Sequence, residues 1–234
     1  MAEKNAPAIV LAGGLGTRLR GVINDLPKPM AMINGKPFLH YLFIYLTKQR
    51  IPKAILSVGY KAGVIEAYFG DKYLDVEIEY CREEEPLGTG GGIKLAFERV
   101  TGNAFVLNGD TFFDVDLSAL AQFHEESGAD ISLGLKAMQQ FDRYGTVELQ
   151  GNRIVKFEEK KPVEQGVING GVYYFNRSLF DGVEEKKFSF EKEVLEKYVG
   201  TKQINGKLFD DYFIDIGIPE DYQKAQTDFV RLFE

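Results

Sequence analysis

The sequence predicts an α/β domain of three layers, with helices on both faces of a mixed, mainly parallel sheet. Three observations predict it. Short apolar runs at residues 8–11, 54–58 and 104–107 alternate with stretches of helical period, as when each strand is followed by a crossover helix. Apolar residues make up 44% of the chain, ordinary for a globular protein, and no run approaches membrane-spanning length. No internal repeat or low-complexity linker appears, so residues 1–234 read as one domain.

Residues 8–11 form a buried strand that empties into a glycine-rich loop. Residues 37–48 read as a helix with Pro37 in its first turn and Leu39, Leu42, Phe43 and Leu46 on one face. A strand at 54–58, a short helix at 64–69 and an alternating strand at 76–80 follow, then a glycine cluster and a helix at 93–100. The strand at 104–107 precedes a helix at 117–126. Residues 130–137 are a strand, Tyr144-Gly145 opens another, and 147–155 is a hairpin turning at Gln150-Gly151-Asn152. Residues 167–175 read as a strand broken by Gly170-Gly171, which marks a bulge or a closely approaching ligand. Helices at 190–199 and 219–233 close the chain, the last turning Tyr222, Ala225, Phe229 and Leu232 toward the core.

Charge and composition narrow the chemistry. A net charge of −7 argues against nucleic acid as a bulk partner, since a phosphate backbone requires a basic face. It does not argue against a nucleotide, whose phosphates need only local cations and a metal. Cys81 is the single cysteine and reads as a small strand hydrophobe. The first residues lack the apolar core of a signal peptide, so a soluble cytoplasmic protein without a membrane partner is expected. His40 and His124 fall in helices without a partner at ligand spacing and read as incidental.

The loop after the first strand carries the strongest chemical signal. Leu11 and Ala12 lead into Gly13, Gly14 and Gly16, which let successive backbone N–H groups turn toward one point. Thr17 adds a hydroxyl, Arg18 a fixed fork of donors, and Lys28 a second cation between two prolines. This is chemistry for a polyphosphate, although glycines alone would equally serve a tight strand-to-helix turn. The loop is neither a Walker loop nor a dinucleotide fingerprint, because Thr17-Arg18 follows Gly16 and Leu19 occupies the third-glycine position.

Glu83 to Gly92 is the second informative stretch, with four glycines in the five residues 88–92. As a charge run, Glu83-Glu84-Glu85 would ordinarily be a solvated face; facing a base, a carboxylate accepts from the N1–H and N2–H₂ of guanine. Asp110 follows an apolar strand, where ligands bind in open α/β sheets, and suits Mg²⁺, which takes few carboxylates plus phosphate oxygens and water. Asp114 and Asp116 read as turn or cap residues. Asp215 lies in an apolar run where an unpaired charge is costly, and a metal shared with Asp110 would resolve that cost.

The string Leu11-Ala12-Gly13-Gly14-Leu15-Gly16-Thr17-Arg18-Leu19, followed by Pro27-Lys28-Pro29-Met30, resembles the signature of the sugar-1-phosphate nucleotidyltransferases. Later motifs extend the resemblance over nearly the whole chain, and their combination is most similar to the D-glycero-D-manno-heptose 1-phosphate guanylyltransferases, with mannose-1-phosphate guanylyltransferases close by. The resemblance implies a Rossmann-like nucleotidyltransferase domain that joins GTP to a sugar 1-phosphate, with a nucleotide sugar for surface polysaccharide (lipopolysaccharide or capsule) as product. It implies Mg²⁺ on Asp110 and Asp215, with Arg18 and Lys28 on the triphosphate. Leu11, Ala12, Gly13, Gly14, Gly16, Thr17, Glu83, Pro86, Gly88 and Thr89 match nucleotide-binding positions, and Glu85 to Thr89 resembles the guanylyl form of this loop.

Tyr144, Gly145, Glu159 and Lys160 match the sugar-phosphate site, and Asn169 and Gly170, in the glycine-broken strand, read as sugar contacts. An extra lysine, Lys161, leaves open which of the two neighbouring lysines takes the phosphate. A homodimer is a permitted assembly. The rival readings are a uridylyl- or cytidylyltransferase for another phosphorylated acceptor, and a non-catalytic subunit that binds a nucleotide sugar; intact Arg18, Lys28, Asp110 and Asp215 speak against the second.

Overall fold

The computed structural model describes residues 6–14, 26–158 and 160–233. One sheet of ten strands organises them, and one half of it holds four adjacent parallel strands: β1 (Ala8–Leu11), β4 (Lys53–Val58), β6 (Val76–Arg82) and β7 (Asn103–Asn108). Between β1 and β4 lie a small hairpin, β2 (Met32–Ile33) and β3 (Lys36–Pro37), and helix α1 (Phe38–Lys48). Helix α2 (Ala62–Phe69) and the short β5 (Lys72–Tyr73) precede β6. Helix α3 (Gly88–Ala96) then leads to β7, followed by β8 (Thr111–Phe113) and helix α4 (Leu117–Ser127). The second half contributes β9 (Ile131–Phe141), β10 (Thr146–Gln150), β11 (Arg153–Glu158), β12 (Val163–Asn176), β13 (Ile204–Leu208), β14 (Phe213–Asp215) and helix α5 (Pro219–Phe233). The strand order is β10-β11-β13-β9-β12-β7-β1-β4-β6-β5.

The register explains why helices are needed on both faces. Val10, Leu56, Leu107 and Val172 are neighbours across four strands and point into one core, with α1, α2, α4 and α5. Ile9, Ile55, Val106 and Tyr173, one residue earlier or later, form the matching row on the opposite face. Ile93 and Phe97 cover that second row together with Phe190 and Val194. Because side chains alternate across a strand, apolar residues at consecutive positions commit both faces to burial. The expected three layers follow, and Cys81 packs in the second core as a buried strand residue.

The sheet is mixed, as expected, with a larger antiparallel share than the alternation of strands and helices predicts. Parallel pairing runs through β6, β4, β1 and β7 and recurs between β9 and β13. The central strand of the other half, β12, is antiparallel to both β7 and β9. Three further differences bear on function. Helix α3 begins at Gly88, five residues before the expected start, and ends at Ala96 in a turn of 3₁₀ helix. Residues 191–196 form a π-helical turn inside the expected helix at 190–199. The ladder between β8 and β14, absent from the sequence reading, pairs Asp215 with Thr111.

The glycines at the start of α3 make room for protein. Phe188 donates its N–H to the Leu87 carbonyl (2.9 Å) and accepts from Gly90 N (3.0 Å), so residues 186–188 lie across the first turn of the helix. A Cβ on Gly88 would meet the Phe188 carbonyl oxygen at 2.5 Å, and one on Gly91 would overlap the Lys186 carbonyl oxygen. Gly91→Ala should therefore lower stability by about 1–3 kcal/mol, the range for overpacking. A chemical-denaturation midpoint equal to that of the wild type would show that the two segments do not need this close approach.

Candidate active site

Three charged side chains converge at the carboxyl ends of the parallel strands. Lys28 opens a one-turn 3₁₀ helix (Lys28–Met30) between Pro27 and the buried Pro29, which fix its backbone. Its Nζ lies 2.5 Å from Asp110 Oδ2 and 3.4 Å from Asp215 Oδ1. Asp110 sits at the exit of β7, where the adjoining Gly109 donates its N–H to the Leu11 carbonyl (2.9 Å) and a Cβ would overlap that same oxygen. Asp215 ends β14, and its Oδ1 accepts the Gly217 N–H at 2.8 Å. The Ile216 N–H donates to the Asp110 carbonyl (3.1 Å), which ties the two aspartates together through the backbone. Burial, and then the neighbouring Asp110 charge, raise the Asp215 carboxyl above the usual carboxylate range, and Lys28 opposes them.

A cavity of about 380 Å³ opens beside this cluster. Leu11, Gly13, Gly14, Lys28, Glu83, Pro86, Gly88, Thr89 and Asp110 line it, so the sequence-predicted residues of three separate segments meet in one place. Ala12 is buried behind it and donates its N–H to the Ser57 carbonyl (2.8 Å). Glu83 is held from both ends: Oε1 accepts from Ser57 Oγ (2.9 Å) and Oε2 from the Leu87 N–H (3.0 Å). Each carboxylate oxygen keeps further acceptor capacity. The Thr89 hydroxyl is engaged within the protein, donating to Glu191 Oε2 (2.8 Å) and accepting from the Phe190 N–H (2.9 Å). Gly16, Thr17 and Arg18 lie outside the described residues.

A second cavity, about 450 Å³, adjoins the first and is lined by Tyr144, Gly145, Lys160 and Asn169 among others. Tyr144 is fixed by an edge contact with Phe213 (5.7 Å between centroids) and by the Arg143 guanidinium over its ring (5.4 Å), while Arg143 is held by Asp221 at 2.5 Å. Burial, and then the Asp215 charge, push the Tyr144 hydroxyl well above its ordinary value. A small recess lined by Tyr144, Lys160, Asp215 and Gly217 shares two of these residues with the cavity and reaches Asp215. Lys160 lines both spaces, whereas Lys161 pairs with Glu158 at 2.7 Å. Asn169 donates to Tyr173 Oη (2.8 Å) and accepts from the Gly171 N–H (3.0 Å). Glu159 lies outside the described residues.

Gly170 does not reach the cavity. It is buried, a Cβ there would overlap the Phe113 ring, and one on Gly171 (φ +74) would lie 2.6 Å from Asn108 Nδ2. The register slips between Asn169 and Val172, so the glycine pair is a bulge that accommodates Phe113 and Asn108. Asp116 caps α4 by accepting from the Ala119 N–H (3.0 Å), as its turn reading expected. His40 and His124 are tied to Tyr73 Oη (2.8 Å) and Ser132 Oγ (3.1 Å), away from both cavities. Sequence reasoning missed Glu191 and did not single out Asn108 or Pro29, all of which line the first cavity.

Residues 7–231 match the profile of the Nucleotidyl transferase family. The chain belongs to that family. This nucleotidyltransferase is 52% identical to the D-glycero-alpha-D-manno-heptose 1-phosphate guanylyltransferase of Aneurinibacillus thermoaerophilus, over 94% of this chain and 97% of the relative. It is likewise 52% identical to the enzyme of that name from Campylobacter jejuni, over 92% and 96%. Identity to the mannose-1-phosphate guanylyltransferase of Mycobacterium tuberculosis is 39%, over 99% of this chain and 66% of the relative. Among solved structures, HddC from Yersinia pseudotuberculosis complexed with GMP-PN superposes with a TM-score of 0.85 at 38% identity, covering 96% of this chain and 99% of that one. No helix among the described residues is long and apolar enough to cross a membrane.

The geometry makes Lys28 the counter-ion of two carboxylates. In metal-free buffer Lys28→Met should lower the stability of this nucleotidyltransferase by about 1–2 kcal/mol. That is less than the ~3–5 kcal/mol of a fully buried pair, because the Asp110 and Asp215 side chains stay 35% and 29% exposed. Adding Asp215→Asn should recover most of the loss. Thermal melting of both variants checks this, and an additive, further loss in the double variant would contradict it.

Proposed function

We infer that the chain is a guanylyltransferase that joins GTP and D-glycero-α-D-manno-heptose 1-phosphate into GDP-heptose and pyrophosphate. The observation that carries this reading is that a cavity lined by the glycine loop, Glu83, Lys28 and Asp110 borders at Glu191 on one lined by Tyr144, Lys160 and Asn169, while a recess between Lys160 and Asp215 brings the second toward the Lys28-Asp110-Asp215 cluster. The names of the 52% identical relatives support the base and the sugar. In the reaction a phosphate oxygen of the sugar 1-phosphate attacks the α-phosphorus of GTP. The bond from that phosphorus to the β-phosphate oxygen breaks, and pyrophosphate leaves with its electron pair. The attacking oxygen is already ionised, so the protein need not supply a strong base. Its work is positioning and charge neutralisation.

Placement supports the roles of the described residues, and the motif resemblance those of Arg18 and Glu159. Amides of the glycine loop, with Arg18, hold the β- and γ-phosphates. Lys28, adjacent to both aspartates, meets the charge that builds at the α-phosphate. Glu83, already aimed by Ser57 and Leu87, accepts from the N1–H and N2–H₂ edge of guanine. Lys160 takes the sugar phosphate, and Asn169, with Glu159, the sugar hydroxyls.

Asp110 and Asp215 suit a magnesium ion. They are hard oxygen donors converging on one cation position, and Asp215 is a half-buried carboxylate whose charge burial and Asp110 disfavour and a neighbouring cation favours. Among the described residues no third His, Cys, Asp or Glu joins them, which fits a metal that completes its shell with phosphate oxygens and water. When bound, the ion offsets the repulsion between the two phosphate groups. The reaction belongs in the cytoplasm, where nucleoside triphosphates are supplied, and its product serves lipopolysaccharide or capsule synthesis.

The test is pyrophosphate release across GTP, ATP, UTP and CTP, each with the heptose and mannose 1-phosphates. GTP should be preferred. The heptose phosphate should give the higher kcat/KM and mannose phosphate weak activity, because a site that pairs a substrate hydroxyl rejects an analogue lacking it. Lys28→Ala should reduce turnover about 10²-fold, as loss of one oxyanion-type donor does. Equal use of all four triphosphates would remove the guanylyl reading, and a clear preference for mannose phosphate would assign the chain to the mannose enzymes.

A further inference from the structure

Glu191 is the residue that the two cavities share: it lines both the nucleotide-side space and the sugar-side space. It begins the π-helical turn of residues 191–196, and such turns appear mostly as single widenings of a helix, frequently at functional sites. Its carboxylate is fixed on one side only. Oε2 accepts from Thr89 Oγ1 (2.8 Å) and from Ser189 Oγ (2.7 Å), while Oε1 accepts no hydrogen bond among the described residues. The segment that carries it is rigid. Phe190 is fully buried and stacks on Phe175 (5.4 Å), its N–H donates to Thr89 Oγ1 (2.9 Å), and Phe188 is bonded to Leu87 and Gly90.

We propose that Glu191 is a specificity-determining residue that accepts a hydrogen bond from a sugar hydroxyl where the nucleotide and sugar cavities meet. A carboxylate is an acceptor, so the ligand group it takes is a donor, and a phosphate there would be repelled. Given the function proposed above, on which this inference rests, two ligand groups at that junction carry donors of this kind: the ribose of the nucleotide and the ring of the sugar 1-phosphate. Thr89 and Ser189 act through Glu191 as positioning residues, since their hydroxyls aim its carboxylate. This also gives the Thr89 side chain a use other than direct contact with the nucleotide.

The experiment compares wild type, Glu191→Gln and Ser189→Ala by pyrophosphate release. It uses GTP, 2′-deoxy-GTP and 3′-deoxy-GTP at saturating sugar phosphate, and varied sugar phosphate at saturating GTP. Glu191→Gln should lose about tenfold or more in kcat/KM for one substrate, as expected when a charge-assisted hydrogen bond is removed. If the ring of the sugar phosphate is the ligand, its KM rises and that of GTP holds. If the ribose is the ligand, kcat/KM for GTP falls and the variant no longer distinguishes GTP from the deoxy analogue lacking the bound hydroxyl. Ser189→Ala should shift the same parameter in the same direction by less.

A folded Glu191→Gln protein with wild-type KM values and wild-type discrimination against both deoxy analogues would overturn the assignment, whatever its kcat or melting temperature. Should that variant fail to fold, unchanged KM values and discrimination in Ser189→Ala would overturn it equally. Absence of pyrophosphate release by the wild type with every substrate pair would instead count against the function proposed above.

Discussion

The Lys28 ammonium between Asp110 and Asp215 is the interaction on which the rest of the site depends. Two carboxylates from distant parts of the chain are brought to one point, and without a cation their proximity would oppose folding. The sheet supplies the means. Asp110 leaves the central parallel strand β7, and Asp215 ends a strand whose partner, β8, begins at the very next residue, Thr111. Pro27 and Pro29 stiffen the backbone on either side of Lys28. One cavity opens beside Lys28 and Asp110, and a recess at Asp215 leads toward the second, so the cluster holds one ammonium against two carboxylates where the two spaces approach each other.

Much of the remaining architecture holds segments close enough for this to happen. The chain returns from β12 as a strap across the start of α3, and glycines at 88, 90 and 91 let it approach closely. The strap carries Glu191 to Thr89, linking the loop that lines the first cavity to the wall of the second. The bulge at Gly170-Gly171 performs a similar service for Phe113 and Asn108, beneath the aspartates. Glycines near an active site thus serve protein packing as well as ligand approach, and only the contacts around each distinguish the two.

This distinction marks how much of the molecule was legible in its sequence. The central strands were legible because each is a short apolar run committed to two cores, and α5 because its apolar stripe is sharply periodic. Asp110 and Asp215 were legible because acids beside apolar strands demand a reason. The start of α3 was hidden because glycine disfavours helix by about 1 kcal/mol relative to alanine, and only the tertiary strap overrides that preference. β13 was missed because Asn205-Gly206-Lys207 interrupts its apolar pattern, and its register comes from the parallel β9. Glu191 carried no local signal at all: its meaning arises from where the strap sets it. The difference between Lys160 and Lys161 likewise needed coordinates, since only Lys161 pairs with Glu158 among these two.

The central claim is that Asp110 and Asp215 form a single cation position at the junction of the two substrates. Manganese binding, read by the electron paramagnetic resonance of the free ion in the presence of a non-hydrolysable GTP analogue, tests it most directly. The account predicts one tightly bound ion per chain, lost to a similar extent in Asp110→Asn and in Asp215→Asn, with little further loss in the double variant, because residues that act as a unit are non-additive. Wild-type manganese affinity in either single variant, or losses that multiply in the double variant, would contradict it.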